Sequence, residues 1–188
     1  YVAFLNSTTS QAASVRYTGG TPKYKKSGGT IRMEEDYFVA DLPEQRMVFW
    51  HWDDMMAFTD WAALRPYTEL EYTKACRGPV KPVAHEMPWN TAGDRKMIRR
   101  INSKTHQMEL PGGFDEGQLN NETRELFGAS YYWVMDLAGS MWEKVITVGD
   151  SVGREFEGQH GDGRVDYYGM ANVKVWPSGY GESYGYGY

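Results

Sequence analysis

Three polar side chains with metal-binding potential lie close together late in the sequence. Glu157, His160 and Asp162 occur in the stretch Glu-Gly-Gln-His-Gly-Asp-Gly. Carboxylates and an imidazole at this spacing could bind a transition metal. A glycine-rich turn with solvated polar side chains is the commoner explanation of such a pattern. The sequence therefore favours a turn, with a metal site as the alternative.

A histidine between two tryptophans is a second candidate for chemistry. His51 lies between Trp50 and Trp52, where an aromatic pocket could hold a general base. A general base needs a partner within hydrogen-bond reach, and no carboxylate can be assigned to His51 from the sequence. We therefore predict a half-buried histidine at the end of a strand, without a catalytic role.

The chain has a single cysteine, Cys76. One cysteine excludes an internal disulfide, a cysteine-based zinc cluster and a two-cysteine redox mechanism built from these residues. The sequence also lacks a Gly-x-Ser-x-Gly elbow, a P-loop and a dinucleotide-binding fingerprint. These absences argue against hydrolase, kinase and dehydrogenase chemistry.

Length and charge limit the class of protein. The 188 residues suffice for one domain with its own core. Lys and Arg total 20 against 25 Asp and Glu, a formal charge of −5, so nucleic acid is not an expected partner. The mean hydropathy is −0.63, and no apolar run approaches the roughly 20 residues of a transmembrane segment. Because the chain begins with Tyr1 rather than Met, we expect a processed product or part of a longer chain.

The N-terminal part of the chain predicts one short helix and one strand. The helix is expected over residues 1–16, with Ser10 capping its second turn. The strand is expected over residues 30–33.

Two helices in tandem are the clearest elements of the sequence. Asp53 is a good N-cap for the first helix, and a break is expected at residues 64–66. Met55, Phe58 and Ala62 recur at helical spacing and predict its packed face.

A capping box opens the second helix. Thr68 and Glu71 have the spacing of a reciprocal cap, and Gly78 is placed to end the helix. Leu70, Tyr72 and Ala75 are expected to supply its packing contacts.

The remaining sequence predicts mostly irregular structure. Residues 79–121 favour long loops with short strands, and residues 131–137 favour a strand leading into a turn. Glycines at 153, 158, 161 and 163 indicate a loop. Residues 179–188 contain four Gly and four Tyr, which predicts either a flexible terminus or an adhesive segment. We therefore place one domain at residues 1–178, incomplete at both ends, and a tail at 179–188.

Three separated blocks share order and spacing with a known family. Residues 52–78 hold the tandem helices, with the stretch Leu-Arg-Pro-Tyr-Thr-Glu-Leu-Glu-Tyr. Residues 135–143 are Met-Asp-Leu-Ala-Gly-Ser-Met-Trp-Glu, and residues 4–6 are Phe-Leu-Asn. Together the blocks resemble the formylglycine-generating enzyme family, also called the sulfatase-modifying factor family, over roughly residues 1–176.

This resemblance implies an α+β, formylglycine-generating-enzyme-like fold. Such a fold is a modified C-type-lectin-like, loop-rich architecture with two tandem short helices and short antiparallel strands, held by aromatic packing and often by calcium. The stretches around Thr68 and His160 resemble those of secreted or surface-attached members from Bacteroidota-like bacteria. The expected location is therefore extracellular, on the cell surface or periplasmic.

The resemblance also implies a calcium loop. Gly139, Ser140 and Glu143 are similar to the family's calcium-binding residues, and calcium takes several oxygen ligands at short range. Ser140 stands where the family has an Asn of longer reach. The alternative is that Glu143 is purely structural and hydrogen-bonded inside the turn. Calcium is thus the candidate cofactor.

The chain departs from active members of the family at the catalytic centre. Those oxidases use a pair of cysteines near the C-terminus, within an Arg-Gly-Gly-Ser-Trp neighbourhood, to bind copper and oxidise a substrate cysteine. Here the pair and the neighbourhood are absent, and Cys76 falls in the second helix. After Trp176 and Pro177, the family's Gly-Phe-Arg-Gly-Gly is replaced by a Gly- and Tyr-rich stretch. Copper is therefore not expected at these residues, and no catalytic residue is assigned.

Three functions remain open from the sequence. A scaffold retained without the copper cysteines favours a non-catalytic structural or binding domain, with a protein or glycan partner or a homo- or hetero-assembly. The first alternative is a fragment of a copper-dependent formylglycine-generating oxidase, or of a related non-haem iron enzyme, whose catalytic residues lie elsewhere. The second is a diversified lectin-like ligand-binding protein, which the tyrosine-rich tail mildly suggests.

Overall fold

A computed structural model describes most of the chain as short helices and strands joined by irregular segments. The described residues are 1–17, 31–43, 47, 51–92, 98–102, 104, 108–109, 116–138 and 143–177. In chain order, the elements are α1 (Val2–Ser7), α2 (Ser10–Tyr17), β1 (Ile31–Glu34), β2 (Tyr37–Ala40), α3 (Trp52–Trp61), α4 (Glu69–Arg77), β3 (Arg100–Ile101), β4 (Met108–Glu109), two 3₁₀-helices (Glu116–Gln118 and Arg124–Phe127) and α5 (Ser151–Arg154). The architecture is therefore a mixture of α and β, as the sequence predicted.

The described residues form two units. The first contains residues 1–67 and 146–177, and the second contains residues 68–145. Each unit has one small antiparallel sheet: β1 pairs with β2 in the first, and β3 pairs with β4 in the second. Within the described ranges, the helices are too short and too polar to span a bilayer.

The core of the first unit is built around helix α1. Phe4 and Leu5 are fully buried and pack with side chains of the hairpin and of α3. The ring of Phe4 lies 5.5 Å from that of Trp61 and 6.1 Å from that of Phe58, at tilted and edge-on angles that aromatic rings favour. Phe4 therefore lies at the centre of an aromatic cluster.

Two polar contacts position the elements around this core. The Asn6 amide group donates to the Phe38 carbonyl at 2.9 Å and accepts from the Phe38 N–H at 2.8 Å, which fixes α1 against β2. The Arg16 guanidinium contacts the Asp54 carboxylate at 3.2 Å, and both side chains are buried. Breaking such a buried pair leaves an uncompensated charge, so this contact constrains how α2 and α3 pack.

The helix starts differ from the sequence predictions by one or two residues. The prediction that Ser10 caps a second turn was wrong, because Ser10 is itself helical and Thr9 Oγ1 accepts the Ala12 N–H at 3.2 Å. The prediction that Asp53 is the N-cap of α3 was also wrong. His51 is the N-cap, and its N–H donates to Asp54 Oδ2 at 3.2 Å. Tertiary packing of Asp54 selects this start over the neighbouring one.

The second tandem helix confirms its predicted ends. The Glu71 N–H donates to Thr68 Oγ1 at 3.2 Å, and the Thr68 N–H donates to Glu71 Oε2 at 2.9 Å, so the capping box is formed. Gly78 follows the helix with a φ of 62°. The expected packing role of Leu70 was wrong, because its side chain is 62% exposed. Tyr72 is partly buried and donates its hydroxyl to the Leu137 carbonyl.

Two further predictions of local structure were wrong. Residues 131–137 form a turn and irregular backbone instead of a strand, because Trp133 and Asp136 adopt positive φ angles of 63° and 64°. Gly153 lies in α5 rather than in a loop, and the side chain of Asp150 caps this helix by accepting the Val152 N–H. The predicted short strands within 79–121 are confirmed by β3 and β4. Of the predicted strand at 30–33, residue 30 lies outside the described residues, and the rest belongs to β1.

Candidate functional site

A single buried carboxylate closes a loop of the first unit. Asp60, at the C-terminal end of α3, is fully buried. Its Oδ1 accepts the N–H of Asp162 at 3.0 Å, and its Oδ2 accepts the N–H of Asn172 at 2.8 Å. Both carboxylate oxygens are thus used to hold the two ends of residues 162–172, which we name the Asp60-anchored loop.

Glycines allow the chain to approach the end of α3 closely. The Gly161 N–H donates to the Leu64 carbonyl at 2.7 Å, and the Gly163 N–H donates to the Asp60 carbonyl at 3.0 Å. A Cβ atom on Gly161 would lie 2.4 Å from Asp60 Cα, far inside van der Waals contact. Gly161 is therefore required for this close approach.

The interior of the Asp60-anchored loop is also fixed. Val165 packs against the core of the first unit. Asp166 Oδ1 accepts the N–H groups of Tyr168 and Met170, each at 2.8 Å. Gly169 has a φ of 73°, and a Cβ atom there would lie 2.9 Å from the Cβ of Ala12 in α2. The backbone of the loop is therefore positioned by the core, by Asp166 and by α2.

The loop presents two aromatic side chains to solvent. Tyr167 and Tyr168 are 66% and 60% exposed, and their rings meet edge to face with centroids 5.2 Å apart. Arg164 and Asp162 are also exposed. Exposed Tyr and Arg side chains on a rigid backbone are typical of recognition surfaces.

The three polar residues of the predicted glycine-rich turn have separate partners. Glu157 Oε2 accepts from the Gln159 amide at 3.0 Å, His160 Nδ1 lies 3.1 Å from the Ala63 carbonyl oxygen, and Asp162 Oδ1 accepts the Arg164 N–H at 2.9 Å. Among the residues the structure describes, no three His, Cys, Asp or Glu side chains form a group able to hold a metal ion. The three side chains are exposed, as predicted, but residues 156–162 are irregular backbone rather than a turn.

The other predicted site residues fall in different places. Gly139 and Ser140 lie outside the described residues. Glu143 is described and partly buried in the second unit. The half-burial expected of His51 was wrong, because this residue is exposed at the start of α3.

Cys76 lies in α4 and is partly buried. Burial raises the pKa of its thiol, and the negative charge of Glu143 acts in the same direction. A hydrogen bond with Tyr72 opposes this rise. Because the thiolate is the form that attacks electrophiles and binds metals, a raised pKa lowers the fraction of Cys76 in that form.

Sequence reasoning missed Asp60 as an anchor. One signal was available, because a carboxylate in the last turn of a helix is disfavoured by the helix dipole. An acidic residue in that position indicates that another interaction compensates it. The partners, Asp162 and Asn172, lie about a hundred positions away in the chain, and no local pattern connects them to Asp60.

Among curated proteins, the chain is similar to the formylglycine-generating enzyme of Thermomonospora curvata. The two are 25% identical over 105 residues, which cover 56% of this chain and 34% of that enzyme. The match thus spans about a third of the length of the curated relative. No family model matches the chain, and no solved structure matches it. The similarity is that of a distant relative.

Replacing Asp60 by Asn should destabilise the protein. The amide nitrogen of Asn cannot accept, so one of the N–H groups of Asp162 and Asn172 loses its buried acceptor. We expect Asp60→Asn to lower the free energy of unfolding by about 1–3 kcal/mol in urea denaturation. Asp162→Asn removes the same charge from an exposed position and should change the free energy by less than about 0.5 kcal/mol. Equal effects of the two variants would contradict the anchoring role.

The Cys76 thiol should react slowly in the folded chain. Because its pKa is raised by burial, the thiolate fraction at a given pH is lower than in the unfolded chain. We expect alkylation by iodoacetamide, followed by mass spectrometry, to be several-fold slower in buffer than in urea. As the pH is raised, the increase in alkylation rate should occur at a higher pH in the folded chain than in the unfolded chain. Identical pH profiles would show that the thiol is not perturbed.

Proposed function

We propose that this chain is a non-catalytic binding domain with a formylglycine-generating-enzyme-like fold. It would act outside the cytoplasm, in the periplasm, on the cell surface or in the medium, by recognising a partner or by packing into an assembly. The distant similarity to the Thermomonospora curvata enzyme and the tandem helices α3 and α4 support the choice of scaffold. The small antiparallel sheets and the aromatic cluster around Phe4 are in keeping with it.

The observation that carries the proposal is the Asp60-anchored loop. A buried carboxylate, two closely packed glycines and a core contact hold a loop whose outermost side chains are exposed tyrosines. Ordering a flexible loop costs free energy on binding, so a loop that is already fixed favours recognition. The loop thus has the physical properties of a binding surface.

The surroundings of Cys76 favour a non-catalytic role. A copper centre of the kind found in formylglycine-generating oxidases takes a pair of cysteines, whereas this sequence has one. That cysteine lies in a helix, and burial raises the pKa of its thiol. The residues present therefore do not fit a two-cysteine copper site.

The alternative function is that of a fragment of a formylglycine-generating oxidase. The similarity of 105 residues to an enzyme of that name favours this alternative. Since the match covers 34% of the enzyme, catalytic residues of a longer protein would lie outside the 188 residues.

An oxidation assay tests whether these 188 residues catalyse the reaction by themselves. The chain would be incubated with copper, oxygen and a cysteine-containing peptide, with the Thermomonospora curvata enzyme as the positive control. We expect no formylglycine in the peptide by mass spectrometry, because these residues supply no cysteine pair. Formation of formylglycine by the wild-type chain, and its loss in Cys76→Ser, would overturn the proposal.

The intact mass of the native polypeptide is the complementary measurement. A mass near 21.5 kDa, together with no detectable formylglycine in the oxidation assay, would support the binding domain. A larger mass with two cysteines in the added segment would favour the oxidase.

Calcium at Gly139, Ser140 and Glu143 is a further part of the proposal. A carboxylate such as that of Glu143 is a ligand that calcium prefers. If calcium binds there, adding it should raise the melting temperature by a few degrees in the wild type, since a ligand of the folded state stabilises that state. The rise should be lost in Glu143→Gln and kept in Glu122→Gln, an exposed position of the same unit. An equal rise in both variants would contradict the site.

A further inference from the structure

The geometry points to the exposed tyrosine pair of the Asp60-anchored loop, Tyr167 and Tyr168, as the docking site for a Lys- or Arg-bearing segment of a partner protein. This inference rests on the proposed binding function and names the surface and the chemistry of its partner.

The tyrosines have unused binding capacity. Their side chains are 66% and 60% exposed, and their only ring contact in the described structure is with each other. Neither hydroxyl makes a hydrogen bond to another described residue, so both remain available as donors and acceptors. An exposed aromatic face attracts ammonium and guanidinium groups, and Tyr combines this face with a polar end.

The acidic charge of the loop and of the chain favours a basic partner. Within the Asp60-anchored loop, Asp162 and Asp166 outnumber the single cation, Arg164. The Asp162 carboxylate is exposed and is bonded only to the N–H of Arg164, within the same loop. The whole chain has a formal charge of −5, so a Lys- or Arg-bearing segment is attracted both at long range and at the loop.

The backbone under the tyrosines is fixed before a partner arrives. Asp166 Oδ1 holds the N–H of Tyr168, and Gly169 packs against Ala12. The Asp60 carboxylate holds the ends of the loop. Binding therefore orders two tyrosine side chains rather than a whole loop, which lowers its entropic cost.

The test uses the full chain and a peptide of defined charge. The probe is a fluorescein-labelled peptide in which Gly alternates with Lys and Arg, and the control peptide carries acetyl-lysine and Gln in their place. We expect saturable binding of the basic peptide by fluorescence anisotropy, and much weaker binding of the neutral peptide. Binding should weaken as salt is raised.

Matched variants assign the binding to the tyrosine pair. Tyr167→Ser with Tyr168→Ser should raise the dissociation constant about tenfold, whereas Tyr167→Phe with Tyr168→Phe should keep it within about twofold because the ring faces remain. Tyr37→Ser removes a tyrosine of the same exposure, 65%, from β2 and should have no effect. Asp162→Asn should weaken binding about twofold to threefold.

Three results would overturn the inference. They are equal binding of the basic and neutral peptides, equal losses in Tyr37→Ser and in the double serine variant, and saturation of the tyrosine pair by a neutral oligosaccharide instead of the basic peptide. Each of these three results leaves the proposed non-catalytic function intact if the oxidation assay detects no formylglycine. Formylglycine formation overturns the proposed function whether or not the peptide binds.

Discussion

The buried carboxylate of Asp60 is the constraint on which the first unit depends. Its two oxygens join the end of α3 to residues far along the chain, Asp162 and Asn172. A carboxylate in an apolar interior is stabilised only when hydrogen bonds replace its lost hydration, and here backbone N–H groups do so. The loop cannot move away from α3 without leaving that charge unsatisfied. This interaction fixes the ends of the loop, while Val165, Asp166 and Gly169 position its interior.

A second buried carboxylate, that of Asp54, performs a similar task at the other end of α3. It accepts from Arg16 of α2 and from the N–H of His51. Helix α3 is therefore tied at its start to α2 and at its end to the Asp60-anchored loop. Phe58, between these ties, and Trp61, directly after Asp60, contact Phe4 in the aromatic cluster. Polar anchors set the orientation of the helix, while aromatic packing supplies apolar burial.

Among the described residues, the candidate reactive side chains are partly buried or engaged by their neighbours. The thiol of Cys76 is partly buried and its pKa is raised, so its reactive form is disfavoured. The side chains of Glu157 and His160 are engaged by Gln159 and by a backbone carbonyl. The tyrosines of the loop, by contrast, are exposed on a fixed backbone, which is the arrangement of a recognition surface.

Features that depend on neighbouring residues could be predicted from the sequence. The capping box of Thr68 and Glu71 and the helix end at Gly78 are examples, because their partners lie three or four positions apart or need only a backbone of positive φ. The exposure of the polar side chains in the glycine-rich segment around His160 was likewise predicted from composition. The mixture of short helices and short strands followed from the same local patterns.

The start of α3 shows where local patterns fail. Asp53 is of a residue type that favours the N-cap position. The carboxylate of Asp54 is held by Arg16, however, and this contact fixes the start of α3 at His51. The exposure of Leu70 and the positive φ of Trp133 have the same kind of cause, since they depend on what each segment packs against.

The sequence by itself determined the helix caps of α4, the single cysteine and the acidic charge of the chain. Only the tertiary structure decided that Asp60 is buried, that it joins α3 to Asp162 and Asn172, and that Tyr167 and Tyr168 face solvent. The physical reason is the distance along the sequence between the residues that interact. Helix caps are formed within a few residues, whereas the partners of the buried Asp60 carboxylate lie about a hundred positions away.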